Sequence, residues 1–211
     1  IAVKLNIPIL GINFGKIGFL VDIDKKNAKN KIKDILDGNY SNDKRMLLNT
    51  KISDHYNQQY NYTCLNDIVI HNFGLLKMIK VKIFINDFLV NIQRSDGVII
   101  SSPTGSTAYS MSNGCPIVSP ASKVMCITPV SPHTYSNCPL IVDCGDKIVI
   151  DVDKSSIKHT SATIDGSNYM HIKNPTEITI KKSNKTLNLI HPEDYNYFKI
   201  LNDKLKWGSR S

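Results

Sequence analysis

Nothing in the 211 residues is apolar for long enough to cross a membrane, since no window approaches the ~18 consecutive apolar residues of a spanning helix. Cysteine is sparse and unpatterned. Cys64, Cys115, Cys126, Cys138 and Cys144 form no Cys-x-x-Cys pair, and their odd number argues against a closed disulfide framework. They read as ordinary buried thiols in a reducing compartment, the cytoplasm. The opening Ile1-Ala2-Val3-Lys4 has neither an initiating Met nor the basic, apolar and small-residue order of a signal peptide, so it reads as a cut or unobserved beginning. Several chemical motifs are missing too. Gly11, Gly15 and Gly18 do not make a G-x-G-x-x-G, and no P-loop occurs, which argues against Rossmann and P-loop folds. Ser106 lacks a G-x-S-x-G elbow, and His71, His133 and His191 show no i, i+4 spacing, which argues against a hydrolase or a zinc enzyme.

Charge of one sign is in excess. Lys and Arg number 26 against 18 Asp and Glu, a net +8 that suits nucleic acid, phosphorylated small molecules or a basic soluble surface. Lys25, Lys26, Lys29, Lys31 and Lys33 cluster without interleaved aromatics and read as a solvated helix face, so no nucleic-acid partner is expected.

A length of this order fits one full domain with a partial one or an appendage. Ile7 to Asn13 is a short apolar run that reads as a buried, parallel-type strand, followed by a helix from Asp24 to Leu36 stopped by Gly38. Residues 1–39 thus read as part of an α/β domain. Beyond Tyr40 the texture changes to short alternating or β-branched runs: Leu47–Ile52, Tyr62–Leu65, Asp67–His71, Ile79–Ile85, Phe88–Ile92, Val98–Ser101, Lys147–Val152, Ser161–Ile164 and Glu177–Ile180. Strands separated by turn signals, with Asn86-Asp87 as a hairpin turn, predict a β-sandwich-like domain over 40–190. The tail 191–211 places Tyr195, Phe198, Leu201 and Leu205 at helical spacing, and is expected to return to the N-terminal domain. The fold class is therefore α+β.

The densest chemical signal runs from Ser95-Asp96-Gly97 through Thr104-Gly105-Ser106-Thr107-Ala108-Tyr109-Ser110-Met111-Ser112. A strand delivers its end into a bend rich in hydroxyls, backbone N–H groups and one aromatic face. Adenine, ribose and phosphate need those groups, so the bend suits a nucleotide. A Ser/Thr-rich surface turn fits the same residues.

The run from Asp96 to Ser110, with Gly114-Cys115-Pro116-Ile117-Val118 and Thr128-Pro129-Val130-Ser131-Pro132-His133, resembles the signature of NAD kinases. Outlying pieces fall in that family's order: Gly11 to Leu20, Leu65-Asn66-Asp67 and Asp165-Gly166, down to the Lys204-Leu205-Lys206-Trp207 tail. The resemblance implies transfer of the γ-phosphate of ATP to the adenosine 2′-hydroxyl of NAD, with Mg²⁺ or another divalent cation. It also implies that Asn66 and Asp67 bond the ribose hydroxyls, and that Asp96 and Thr104 hold the adenine end. Thr107, Ala108, Tyr109 and Ser112 would line the pocket, with Tyr109 beside the base, while Ser131 and Ser167 add contacts. Arg94 and Ser131 would act across subunits of a homo-oligomer. Asp67 stands where many members have Glu. The family's Gly-Gly-Asp-Gly-Thr loop, whose aspartate serves as base, does not occur in the sequence, so the catalytic residue is expected upstream of Ile1. The rival readings are an inactive dinucleotide-binding fragment, or a related lipid or sugar kinase.

Overall fold

The computed structural model describes residues 1–14, 19–21, 23–53, 58–73, 77–133, 138–171 and 177–206. Gly15, Gly18 and Trp207, which carry part of the sequence pattern, lie outside the described residues. The helices are α1 (Ala2–Leu5), α2 (Ala28–Leu36), α3 (Tyr109–Ser112) and α4 (Tyr197–Leu205). Strands β1 to β5 are Ile9–Leu10, Ile12–Asn13, Ile23–Asp24, Tyr40–Ser53 and Gln59–Cys64. Strands β6 to β10 are Asp67–Asn72, Ile79–Ile85, Phe88–Ser95, Gly97–Ser101 and Val124–Val130. Strands β11 to β15 are Leu140–Asp143, Ile148–Val152, Thr160–Ile164, Asn168–His171 and Glu177–Pro192. None of the helices among the described residues is long and apolar enough to cross a membrane.

The chain divides into two compact units, Ile1–Arg45 with Thr186–Ser211, and Met46–Lys185. The sequence pattern places its boundaries at 39/40 and 190/191 instead. Strands β4 and β15 each carry the chain from one unit to the other.

In the larger unit two sheets supply the inner faces of a sandwich. One runs β5-β4-β15-β12-β7-β8 and the other β11-β10-β9-β6-β13-β14. Alternation explains the core. Strand β7 buries Ile79, Val81 and Ile83 and turns Lys80 and Lys82 outward, where they pair with Asp153 and Asp151. Ile68, Ile70, Val98, Ile100, Ile148 and Ile150 meet this row in one continuous apolar cluster. Asn86 and Asp87 join β7 to β8 at φ 49° and 70°, the pair of left-handed residues that a tight hairpin demands.

The smaller unit holds α2 and α4, and Asn196 caps α4 by accepting from the Phe198 and Lys199 N–H groups. The predicted strand over Ile7–Asn13 is parallel but broken at Gly11. Ile9–Leu10 pairs with Leu189–Ile190, whereas Ile12–Asn13 pairs with Ile23–Asp24, and none of the four N-terminal strand residues is buried. Asp43 sits between the buried Arg45, at 2.6 Å, and His191, at 3.5 Å. Burial of Asp43 works against its ionised form, but the bonds to His191 and Arg45 outweigh it and hold the carboxyl below its usual range. Four of the five thiols are buried as expected, but Cys138 is exposed.

Candidate functional site

The candidate site grows from one face of β6. Residues two apart on a strand share a face, so Asp67, Val69 and His71 project together. Strand β13 sets Thr163 opposite Val69, and β9 sets Ile99 there on the other side. Val69, Ile99 and Val130 pack into a small apolar floor. Above it lies a cavity of about 690 Å³, the size of a nucleotide-scale pocket, lined by residues of the larger unit alone.

Six of the predicted site residues line this cavity: Asn66, Asp67, Asp96, Ala108, Tyr109 and Ser131. They come from the β5–β6 turn, the β8–β9 connection, the loop after β9 and the end of β10. Asp96 is fixed by its backbone, donating to the Val130 carbonyl and accepting from the Asn72 N–H. Ser131 follows β10 in the left-handed conformation, φ 44°. The ring of Tyr109 is half exposed, which leaves a face for a planar partner.

Arg94, Thr104, Thr107, Ser112 and Ser167 are not among the lining residues. Arg94 lies exposed on edge strand β8, Ser112 is exposed on α3, and Ser167 is exposed with its N–H bonded to the Ile164 carbonyl. Thr104 is buried, and Thr107 donates back to its carbonyl. Much of the hydroxyl run builds the loop itself. Ser106 is fully buried, donating to Pro103 O and accepting from the Val118 N–H, so it ties the 3-10 turn Thr104–Thr107 to the segment behind it. Cys115 is buried there against Val118 and Cys126.

Sequence reasoning missed Val69, His71, Asn72 and Thr163 as lining residues. The period-two rule applied outward from Asp67 finds the first two. In the neutral ring, His71 Nδ1 donates to the Asn72 carbonyl, which fixes Nε2 as acceptor for the Thr163 hydroxyl, both at 2.9 Å. His71 is thereby a fixed wall.

The backbone of Leu65-Asn66-Asp67 is held from two sides. Asp165 accepts the Leu65 N–H at Oδ2 (2.8 Å) and the Asn66 and Asp67 N–H groups at Oδ1 (2.7 and 3.2 Å). Ser102 donates its hydroxyl to the Leu65 carbonyl and its N–H to the Asn66 carbonyl, and the Asp165 N–H donates to the Asp67 carbonyl. Gly105 presses so closely on this turn that an added Cβ would sit 2.1 Å from the Asn66 carbonyl oxygen. Burial pushes the Asp67 carboxyl up to about 6, and the adjacent Asp165 charge adds to the rise. The Cys64 thiol behind them is pushed up by burial and by the same two carboxylates. Among the described residues no cluster of three or more His, Cys, Asp or Glu is placed to hold a metal ion.

Comparison with known proteins identifies the family. Residues 65–192 match the family model described as the ATP-NAD kinase C-terminal domain, and residues 1–40 match the ATP-NAD kinase N-terminal domain. An NAD kinase of Pseudomonas putida is 39% identical over 205 residues, covering 97% of this chain and 69% of its own length. An NAD kinase of Wigglesworthia glossinidia brevipalpis is 42% identical over 204 residues, covering 97% and 68% respectively. A yeast NADH kinase solved with NADH shares the fold at a TM-score of 0.90 and 24% identity, over 97% of this chain and 61% of its own. An Archaeoglobus fulgidus NAD kinase solved with ATP has a TM-score of 0.79 at 26% identity, over 94% of this chain and 74% of its own. The chain belongs to the ATP-NAD kinase family, whose members transfer phosphate from ATP to NAD.

Proposed function

We propose that the cavity over β6 is the NAD site, and that the chain presents the adenosine ribose of NAD to the γ-phosphate of ATP. One observation carries this reading. Asn66, Asp67, Asp96, Ala108, Tyr109 and Ser131, drawn from four separate stretches of chain, converge on one cavity. The donor set suits the ligand. Ionised Asp67 accepts from ribose hydroxyls, the Asn66 amide donates and accepts beside it, and Tyr109 offers its ring to the base. Thr104 and Thr107 build the turn that leads into Ala108 and Tyr109.

Phosphoryl transfer rests on positioning and on neutralising phosphate charge. A divalent cation supplies that neutralisation, and Mg²⁺ is commonly held by one or two carboxylates together with substrate phosphates. The cavity carboxylates Asp67, Asp96 and Asp165 are assigned to the acceptor side in this reading, and none is the general base. In this reading exposed Arg94 and Ser131 also contribute to the site of a neighbouring copy in a homo-oligomer. Five free thiols suit the reducing cytoplasm as the working compartment.

The test is titration calorimetry with NAD. Losing a buried hydrogen bond to a ligand costs about 1–3 kcal/mol, so Asp67→Ala weakens binding by about five- to a hundredfold. Equal affinity in wild type and variant removes Asp67 from the site.

A further inference from the structure

The turn that carries Asn66 and Asp67 is a tripeptide whose six backbone polar groups are all bonded to just two other residues, Ser102 and Asp165. The shares are unequal. Ser102 takes two carbonyls, whereas Asp165 takes all three N–H groups and, through its own N–H, the remaining carbonyl. Resting on the reading of the cavity as the NAD site, we propose that Asp165 is a positioning residue. Its carboxylate grips three successive N–H groups and so holds Asn66 and Asp67 toward the ribose.

Several observations support a built device. Three convergent N–H groups form a small concave donor site of the kind that holds anions, and here the anion is a side chain of the same chain. Asp165 adopts the left-handed conformation, φ 47°, and Gly166 follows at φ 65°. An ordinary side chain occupies that region only at a cost, and Asp and Asn tolerate it best. With both oxygens already occupied by the turn, Asp165 has little accepting capacity left for a ribose hydroxyl. Its charge also lies beside the buried carboxylate of Asp67, in agreement with the raised proton affinity there. The other titratable groups around Asp67 are Asp96, His71 and Tyr109 across the cavity and the Cys64 thiol behind it. Asp165 thus fixes the turn that carries Asp67, and its charge adds to the effect of burial on how readily Asp67 takes a proton.

Two variants separate position from charge. Asp165→Asn keeps size and left-handed tolerance, but it leaves one accepting oxygen and sets an amide N–H₂ against backbone donors. Asp165→Glu keeps the charge and displaces the oxygens by one methylene. Each is expected to weaken NAD binding by about tenfold or more, because buried donors are left unbonded. In Asp165→Asn the pH at which NAD affinity is half lost also moves below that of wild type, whereas in Asp165→Glu it stays. Amide hydrogen exchange at Asn66 and Asp67 quickens by about tenfold or more in both, in the absence of NAD. Wild-type affinity, wild-type pH profile and wild-type exchange in Asp165→Asn overturn the proposal. If the variants do not fold, the wild-type chain decides, since unprotected Asn66 and Asp67 amides also overturn it. Failure of the wild-type chain to bind NAD counts against the cavity assignment, while the exchange data still judge the grip of Asp165.

Discussion

Replacing Gly105 by alanine places a methyl carbon 2.1 Å from the Asn66 carbonyl oxygen, 2.6 Å from the Asn66 carbonyl carbon and 2.9 Å from its Cα. Comfortable contact begins near 3.5 Å, so relief requires a shift of about 1 Å or more. Neither side has slack. The Asn66 carbonyl is bonded to the Ser102 N–H and its own N–H to Asp165, while the Gly105 N–H is bonded to the Ser102 hydroxyl. Overpacking of side chains costs about 1–3 kcal/mol, and a clash of backbone with backbone belongs at or beyond the top of that range, about 3 kcal/mol. For a chain of this size each kcal/mol lowers the melting temperature by about 2–4 °C, which predicts a fall of about 6–12 °C. The displaced atoms carry Asn66 and the Thr-Gly loop together, so NAD affinity falls in the same variant. Gly38→Ala is the control. Gly38 has φ 95° but nothing within 4 Å of an added Cβ, so alanine there costs only backbone strain of about 1–2 kcal/mol and leaves NAD binding unchanged. Thermal melts and NAD titrations of both variants decide the matter. A Gly105→Ala protein that melts with the wild type and binds NAD equally refutes the close-approach argument.

Because Asp67 titrates near 6, NAD affinity is expected to hold above neutrality and fall as pH drops through about 6, readable as a proton-linked change in calorimetric affinity. The effect on folding has the opposite sign. A carboxyl raised from 3.8 to about 6 in the folded state destabilises the protein at high pH, and the penalty disappears below the unfolded value. Asp67→Asn therefore raises stability at pH 8 by up to about 3 kcal/mol and leaves it unchanged near pH 4, as melts across pH will show. Sedimentation that finds a monomer at every concentration, with and without NAD, removes the roles given to Arg94 and Ser131 across subunits.

Where local chemistry decides the structure, the sequence was legible. Period-two alternation is plain in Ile79–Ile85, and the Asn86-Asp87 turn and the Gly38 stop stand where their residue types put them. Long partners escaped. Strand β15 runs from Glu177 to Pro192, of which only Glu177–Ile180 reads as β-branched, because Lys181 to Lys185 are polar and owe their extended form to neighbouring strands. Strand β10 was missed although it buries Met125, Cys126, Ile127 and Thr128. Two buried faces erase alternation, and Pro129 reads as a breaker. In the cavity, Asn66, Asp67, Asp96 and Tyr109 were found through family resemblance. Val69 and His71 follow from alternation once Asp67 is placed. Thr163 needed the register of β6 against β13, which no local pattern encodes.

The division of labour among the carboxylates follows from where each sits. Asp165 spends its acceptors on three N–H groups of the turn. Asp67 is only 4% exposed, and among the described residues its side chain makes no comparable set of bonds, so burial works against its ionisation. Held in place with acceptors unused, Asp67 disfavours the folded state at high pH, and under the proposed reading a pair of ribose hydroxyls would meet that demand. Sites that bind polar ligands tightly must keep some polar groups unsatisfied beforehand, and stability is lower for it. The Asp67→Asn variant separates the two quantities in one protein: a gain in melting temperature at pH 8 together with a loss of NAD affinity is the expected signature. A loss of both would mean that Asp67 is bonded within the fold, and that the ribose is held elsewhere in the cavity.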